Sequence, residues 1–289
     1  MTKTLDSKAK NLNPKEIMKQ AFSKFDISVT FKTDDFAAAP SNYQRDWMLN
    51  RAVREFGNDL LHLDRQVNEF INGVERPPIN EAWKNSNACY DDAELVIQGQ
   101  QVMQAWEHPL MRALAEAAGE RHGDILEVGF GMAISATYLQ EFGIKSYTVI
   151  ECNDEVISRL ENWKQNYTGK NIRCVKGMWQ DVIKQLDTYD GILFDTYPMS
   201  QEEYIRNEVE GMPYTHCGEF FPTAASLLRE GGVFTFFSCE IDTLSRGHQR
   251  LLLEHFDSFE VSVVRDLEPP DGCQYWWSDS MVVVKAYKR

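Results

Sequence analysis

Seven short apolar runs occupy the chain from residue 124 to its end: DILEVGF, SYTVIE, IRCVKG, YDGILFD, GVFTFFS, FEVSVVRDL and SMVVVKAY. Runs this short and this rich in β-branched and aromatic residues read as strands rather than helices. Stretches as continuously apolar as GILF suit strands buried on both faces, as in a parallel sheet covered by crossover helices. Helical patterning lies between the early runs, so the expected architecture is α/β, a Rossmann-like, mostly parallel sheet of seven strands. Between the last two runs there is no room for a helix, and they are read as antiparallel neighbours, a C-terminal hairpin.

Upstream the pattern changes. Leu49, Val53, Phe56, Leu60, Leu63, Val67 and Phe70 recur at alternating steps of four and three residues, the seam of an amphipathic helix over residues 42–71. Residues 1–80 are therefore read as an N-terminal helical extension, either a lid on its own domain or an oligomer contact through which a homodimer forms. Gly73 and Pro77-Pro78 punctuate the chain before a domain over residues 81–289. Residues 91–118 carry helical patterning up to MRALAEAAG.

The net charge of −14 disfavours a nucleic-acid partner, which needs clustered Lys and Arg, and is compatible with a cationic ligand. No run of apolar residues is long enough for a membrane span, and the polar N-terminus has no apolar core of a secretory signal. The six cysteines form no CxxC pair, so neither a zinc nor a disulfide framework is expected and the cytoplasm is the expected compartment. His216 and His248 lack partners at ligand spacing, and no metal is expected.

Chemistry concentrates after successive strands. ILEVGFGM presents Gly129-x-Gly131 between a strand and a helical pattern, where glycines allow a tight turn and close approach to a ligand. Ile134 stands where a dinucleotide fingerprint has its third glycine, and Glu127 would repel a pyrophosphate while suiting a cationic amino-acid moiety. Glu151, 24 residues on and followed by Cys152, ends the second strand where an acid accepts from two ribose hydroxyls. After the third strand, Gly177-Met178-Trp179-Gln180-Asp181 offers apolar faces for an adenine and an acid for its exocyclic amine. Glycine loop with Met132, ribose acid and adenine acid, in that order, indicate S-adenosylmethionine as cofactor.

With those motifs placed, the chain resembles the guanidinoacetate N-methyltransferase family of class I methyltransferases. VMQAWEHPLMRALA, ILEVGFGMAI, IECND, KGMWQDV, DGILFDTYP, LLREGGVFTF and PPDGCQYW carry the resemblance, which runs from about residue 90 onward. It implies transfer of a methyl group from S-adenosylmethionine to a guanidino nitrogen, with Glu107 and Asp195 holding the guanidinium. It also implies that Trp83 and Met111 lean on the cofactor. The chemistry is consistent with those roles: a carboxylate attracts a cationic nitrogen and can take its proton, and two can hold a planar guanidinium. Thr196, Tyr197 and Tyr275 are expected to line the substrate side.

The chain departs from the family after GGVFTF, where it reads SCEID in place of a carboxylate-binding loop. Glu240 either points to solvent or faces the pocket, where it would repel a carboxylate and favour a substrate with a second cationic or hydroxyl-bearing end. Trp276 and Trp277 either wall the pocket or pack in the core. The reading is thus an N-methyltransferase for a small cationic guanidino or amino metabolite. Its alternatives are guanidinoacetate methylation itself and a non-catalytic cofactor-binding assembly protein.

Overall fold

Helix α1 (Glu81–Lys84) opens the described part of the chain, capped by the Asn80 side chain, which accepts from the amides of Ala82 and Trp83. The computed structural model describes residues 78–288 except 201–202, 204–215 and 271, all within the unit Glu75–Arg289. The helix expected over residues 42–71, the homodimer contact assigned to it, and nearly all of the extension 1–80 lie outside the described residues.

Residues 91–104, read as helical, depart from expectation. Residues 88–104 instead form an antiparallel meander of β1 (Ala88–Tyr90), β2 (Glu94–Ile97) and β3 (Gln100–Gln104). The cause is local: Gln98 and Gly99 both take positive φ, 51° and 78°, the conformation of a two-residue hairpin turn that matches strand twist. Helix begins only at α2 (His108–Ala118), with Pro109 in its first turn, where a missing N–H costs nothing. Its inner face buries Leu110, Met111, Leu114, Ala115, Ala117 and Ala118.

The seven apolar runs are strands: β4 (Asp124–Val128), β5 (Ser146–Glu151), β6 (Ile172–Lys176), β7 (Tyr189–Phe194), β8 (Leu228–Phe236), β9 (Ser258–Val264) and β10 (Met281–Tyr287). They form one sheet in the order β6-β5-β4-β7-β8-β10-β9. The first five are mutually parallel, and β10 runs antiparallel to both β8 and β9. Side chains alternate between two cores: Ile125 and Leu193 face one, while Leu126, Val128, Ile192 and Phe194 face the other. That double burial explains why these runs show no polar alternation. Helix α2 contributes to the first core; α6 (His216–Leu227) and α7 (Arg246–His255) contribute to the second. Between them in sequence lie α3 (Ile134–Glu141), α4 (Asp154–Lys164) and α5 (Trp179–Val182).

This order places the site. From β4 the chain proceeds outward through β5 and β6, then returns to β7 on the other side of β4. The crevice at the carboxyl ends of β4 and β7 is thus a topological switch point, where open α/β sheets bind ligands. Among the described residues no helix is long and apolar enough to cross a membrane.

Candidate active site

A cavity opens above the carboxyl ends of β4, β5 and β7. Gly129, at the tip of β4, has φ of 94°, and a Cβ there would collide with the carbonyl oxygen of Asp195. The glycine therefore lets the loops after β4 and β7 touch, and the amide of Asp195 donates to the Val128 carbonyl at 3.0 Å. The meander covers the cavity with Leu95, Ile97, Val102 and Met103, a wall that sequence reasoning missed. The hairpin signal at Gln98-Gly99 was the clue to it. Tyr90 fastens this wall to the glycine loop by donating to the Gly131 carbonyl at 3.2 Å.

Most of the expected cofactor residues line the cavity: Trp83, Glu127, Gly129, Gly131, Glu151, Cys152, Met178, Trp179 and Gln180. Three expected there do not. Met132 faces a separate groove beside Ala133 and Trp163, Asp181 is exposed in α5, and Met111 is fully buried in α2. Glu151 takes the amides of Cys152 and Asn153 on Oε1, at 2.6 and 2.9 Å, and that of Phe130 on Oε2, at 3.2 Å. Burial pushes its pKa up and those amides hold it back. Glu127 is buried, with Ser135 and Tyr147 donating to its two oxygens. Burial pushes it up to about 7 against those two hydrogen bonds.

These donors and acceptors fit S-adenosylmethionine. The charged residues lining the cavity are Glu127, Glu151 and Asp195, with no Lys or Arg among the described lining residues. Such a lining opposes a pyrophosphate and suits a sulfonium joined to a neutral nucleoside.

On the far side, Asp195 follows β7 at the cavity wall, and its carboxylate accepts no hydrogen bond among the described residues. Thr196 and Tyr197 line the cavity beside it. Tyr197 donates to the Gln101 carbonyl at 2.6 Å, which ties the turn to β3. Glu107 is 2 % exposed; its Oε1 accepts from the Gln104 amide at 2.8 Å and from the Tyr275 hydroxyl at 2.6 Å. Burial pushes Asp195 up to about 7. Glu107 rises to about 8 through burial and then through the charge of Asp195, against the Tyr275 and Gln104 hydrogen bonds. Burial thus holds both carboxyl groups toward the neutral form, and the charge of Asp195 adds to this at Glu107. Glu107 and Tyr275, expected on the substrate side, are not among the residues that line the cavity.

Glu240 does not belong to this cavity. It is 4 % exposed, and its Oε1 lies 2.6 Å from Nδ1 of His248 and accepts from the Ser245 amide at 3.2 Å. The choice between solvent and pocket is resolved by a third arrangement, an internal pair with a histidine one loop away. Trp276 is buried in the core against Phe237 and Trp277. His216 was set aside for want of a partner, yet the fold gives it Thr196 and Glu203. Glu219, one turn on, joins Glu203 and His216 to bring three ligand atoms within 4.8 Å of one another.

Residues 74–248 match the sequence model of the guanidinoacetate N-methyltransferase family. The chain is 26 % identical over 171 residues to protein arginine N-methyltransferase 2 of Candida glabrata, covering 55 % of this chain and 38 % of that one. With the protein of the same name from Gibberella zeae it shares 29 % over 187 residues, 57 % and 38 % of the two chains. The chain thus spans about two-fifths of the length of these curated relatives. Among solved structures it is similar to spermidine synthase from Thermotoga maritima, at 15 % identity, a TM-score of 0.49 and coverage of 70 % and 72 %.

Proposed function

The chain belongs to the guanidinoacetate N-methyltransferase family and is a class I S-adenosylmethionine-dependent methyltransferase acting on a nitrogen-containing group; from that premise we propose that its substrate is a small guanidino compound held by Asp195 and Glu107. One observation carries the proposal: Asp195 lines the cavity, its carboxylate has no hydrogen-bond partner among the described residues, and its charge raises the pKa of a second buried acid, Glu107. Paired, unneutralised carboxylates are costly to keep unless a cation completes them. The matching family and the curated relatives bear different names, yet guanidinoacetate and arginine share the guanidino group.

Gly129, Gly131 and Glu127 would hold the amino-acid end of the cofactor, Glu151 its ribose, and Met178, Trp179 and Gln180 its adenine. S-adenosylmethionine, when bound there, supplies a methyl group on a positively charged sulfur. Asp195 and Glu107 accept N–H hydrogen bonds from the guanidinium and orient one nitrogen toward the cofactor end of the cavity. As that nitrogen is methylated, Asp195 takes its proton, for which a carboxyl group raised toward neutrality is suited. Tyr275 keeps Oε1 of Glu107 occupied, so that Oε2 is the oxygen left for substrate.

With Glu240 paired to His248, it no longer weighs against guanidinoacetate. The cavity lining does: among its described residues no cationic side chain is present to receive a carboxylate. Guanidines lacking a carboxylate are the preferred class. A second reading, methylation of arginine in a protein, is favoured by the names of the curated relatives. Incubation with S-adenosylmethionine and guanidinoacetate, methylguanidine, longer alkylguanidines or an arginine-containing peptide, followed by mass spectrometry, separates these. Methylation of the peptide alone would replace the small-molecule reading.

A further inference from the structure

Behind the turn that carries Asp195 lies a polar cluster with no role in the chemistry above. His216, 5 % exposed at the start of α6, has Nε2 at 2.9 Å from Thr196 Oγ1 and Nδ1 at 3.1 Å from Glu203 Oε1. Its ring leans on Phe194 of β7, with centroids 5.5 Å apart. The other oxygen of Glu203 accepts from the Met199 amide at 3.0 Å, so the carboxylate is itself fixed in place.

With Glu203 ionised and His216 neutral, the directions of these bonds follow from the chemistry of the groups. An ionised carboxylate only accepts, so the proton between Glu203 and His216 sits on Nδ1. In a neutral imidazole Nε2 is then an acceptor, and the proton it receives must come from the Thr196 hydroxyl. A hydroxyl has one proton. With it committed to His216, Oγ1 can only accept from an occupant of the cavity that Thr196 lines.

We propose that Thr196 Oγ1 is a third acceptor for the substrate's guanidinium N–H groups, beside Asp195 and Glu107. Glu203 and His216 are its positioning residues, holding the hydroxyl proton away from the cation. This rests on the guanidino reading above. A guanidinium presents up to six N–H donors in one plane, and a monosubstituted one five, more than two carboxylates need satisfy. A hydroxyl free to rotate would instead turn its positive end toward that cation for part of the time.

Nitrogen-15 NMR of the imidazole reads the device directly. The expected wild-type state of His216 carries its proton on Nδ1 with Nε2 bare. In Glu203→Gln the side-chain carbonyl can still accept from Met199 while its amide donates to Nδ1, so the ring proton moves to Nε2 and Thr196 becomes the acceptor. Calorimetry with methylguanidine and saturating S-adenosylhomocysteine gives the consequence. Glu203→Gln and Thr196→Val should each weaken methylguanidine roughly tenfold or more, as loss of a hydrogen bond to a charged group does, while S-adenosylhomocysteine affinity stays at the wild-type value. A proton on Nε2 in the wild type overturns the proposal, and so does an inverted tautomer that binds methylguanidine normally. A ring signal that moves on adding EDTA also overturns it, assigning Glu203, His216 and Glu219 to a metal. Asp195→Asn keeps the two readings apart. If it loses methylguanidine while Glu203→Gln does not, only the Thr196 proposal fails; if Asp195→Asn binds normally, or the wild type does not bind, the guanidino reading fails too.

Discussion

Asp195→Asn should make the protein more stable at alkaline pH while removing its activity. In the folded protein burial raises this carboxyl from an ordinary 3.8 to about 7. A raised acid leaves stability fully present below pH 3.8 and removes it as the pH climbs to about 7, because the folded state must give up a proton that it binds more tightly than the unfolded chain. At ~1.36 kcal/mol for each tenfold in proton affinity, the cost of ionisation is bounded at about 4 kcal/mol. Asparagine carries no charge to desolvate but keeps a polar amide that needs partners, so a gain of about 1–3 kcal/mol is expected at pH 8.5. At pH 4 the gain should nearly vanish. Urea denaturation of the cofactor-free protein and the variant at the two pH values measures it. A gain equal at pH 4 and 8.5, or a loss at 8.5, would refute the premise that Asp195 is an uncompensated buried acid.

The same titration governs binding. Methylguanidine should bind more tightly as pH rises from 6 to 9, because Asp195 and Glu107 must be ionised to hold a cation, and calorimetry in two buffers of different ionisation enthalpy should show proton release. Tyr275→Phe removes a donor that lowers the Glu107 pKa, so the acid limb of the kcat/KM profile should move to higher pH, with a loss of about 1–3 kcal/mol in substrate binding. Gly129→Ala forces a side chain onto the Asp195 carbonyl at a φ of 94°, and chemical denaturation should show a loss of at least about 2 kcal/mol. Glu240→Gln should cost about 1–3 kcal/mol of stability through His248 while leaving the ranking of guanidine substrates unchanged.

The sheet was legible because its strands are buried on both faces: ILEV and GILF admit few other environments, and their order dictates the switch point. Glu127, Gly129, Glu151 and Asp195 were legible for the same reason, since each sits at or beside a strand end. The meander was misread because Leu95, Val96, Ile97, Val102 and Met103 are too few and too short-spaced to reveal a period, and a single Gln98-Gly99 turn decides between hairpin and helix. The pairing of Glu240 with His248 and of His216 with Thr196 and Glu203 arises only when separate elements pack, so no local pattern announces it. Asp181 and Met111 show the converse: motif position placed them near the cofactor, but helix geometry turns one to solvent and the other into the core.

The central claim is that Asp195 and Glu107 present a guanidino nitrogen for methylation. Its most direct test is methyl transfer from isotopically labelled S-adenosylmethionine to methylguanidine and related guanidines, followed by mass spectrometry, with wild type and Asp195→Asn side by side. The account predicts a methylated guanidine with the wild type and a fall of at least about 100-fold in kcat/KM with the variant, the scale of a lost catalytic base. Transfer by the variant at the wild-type rate would contradict it.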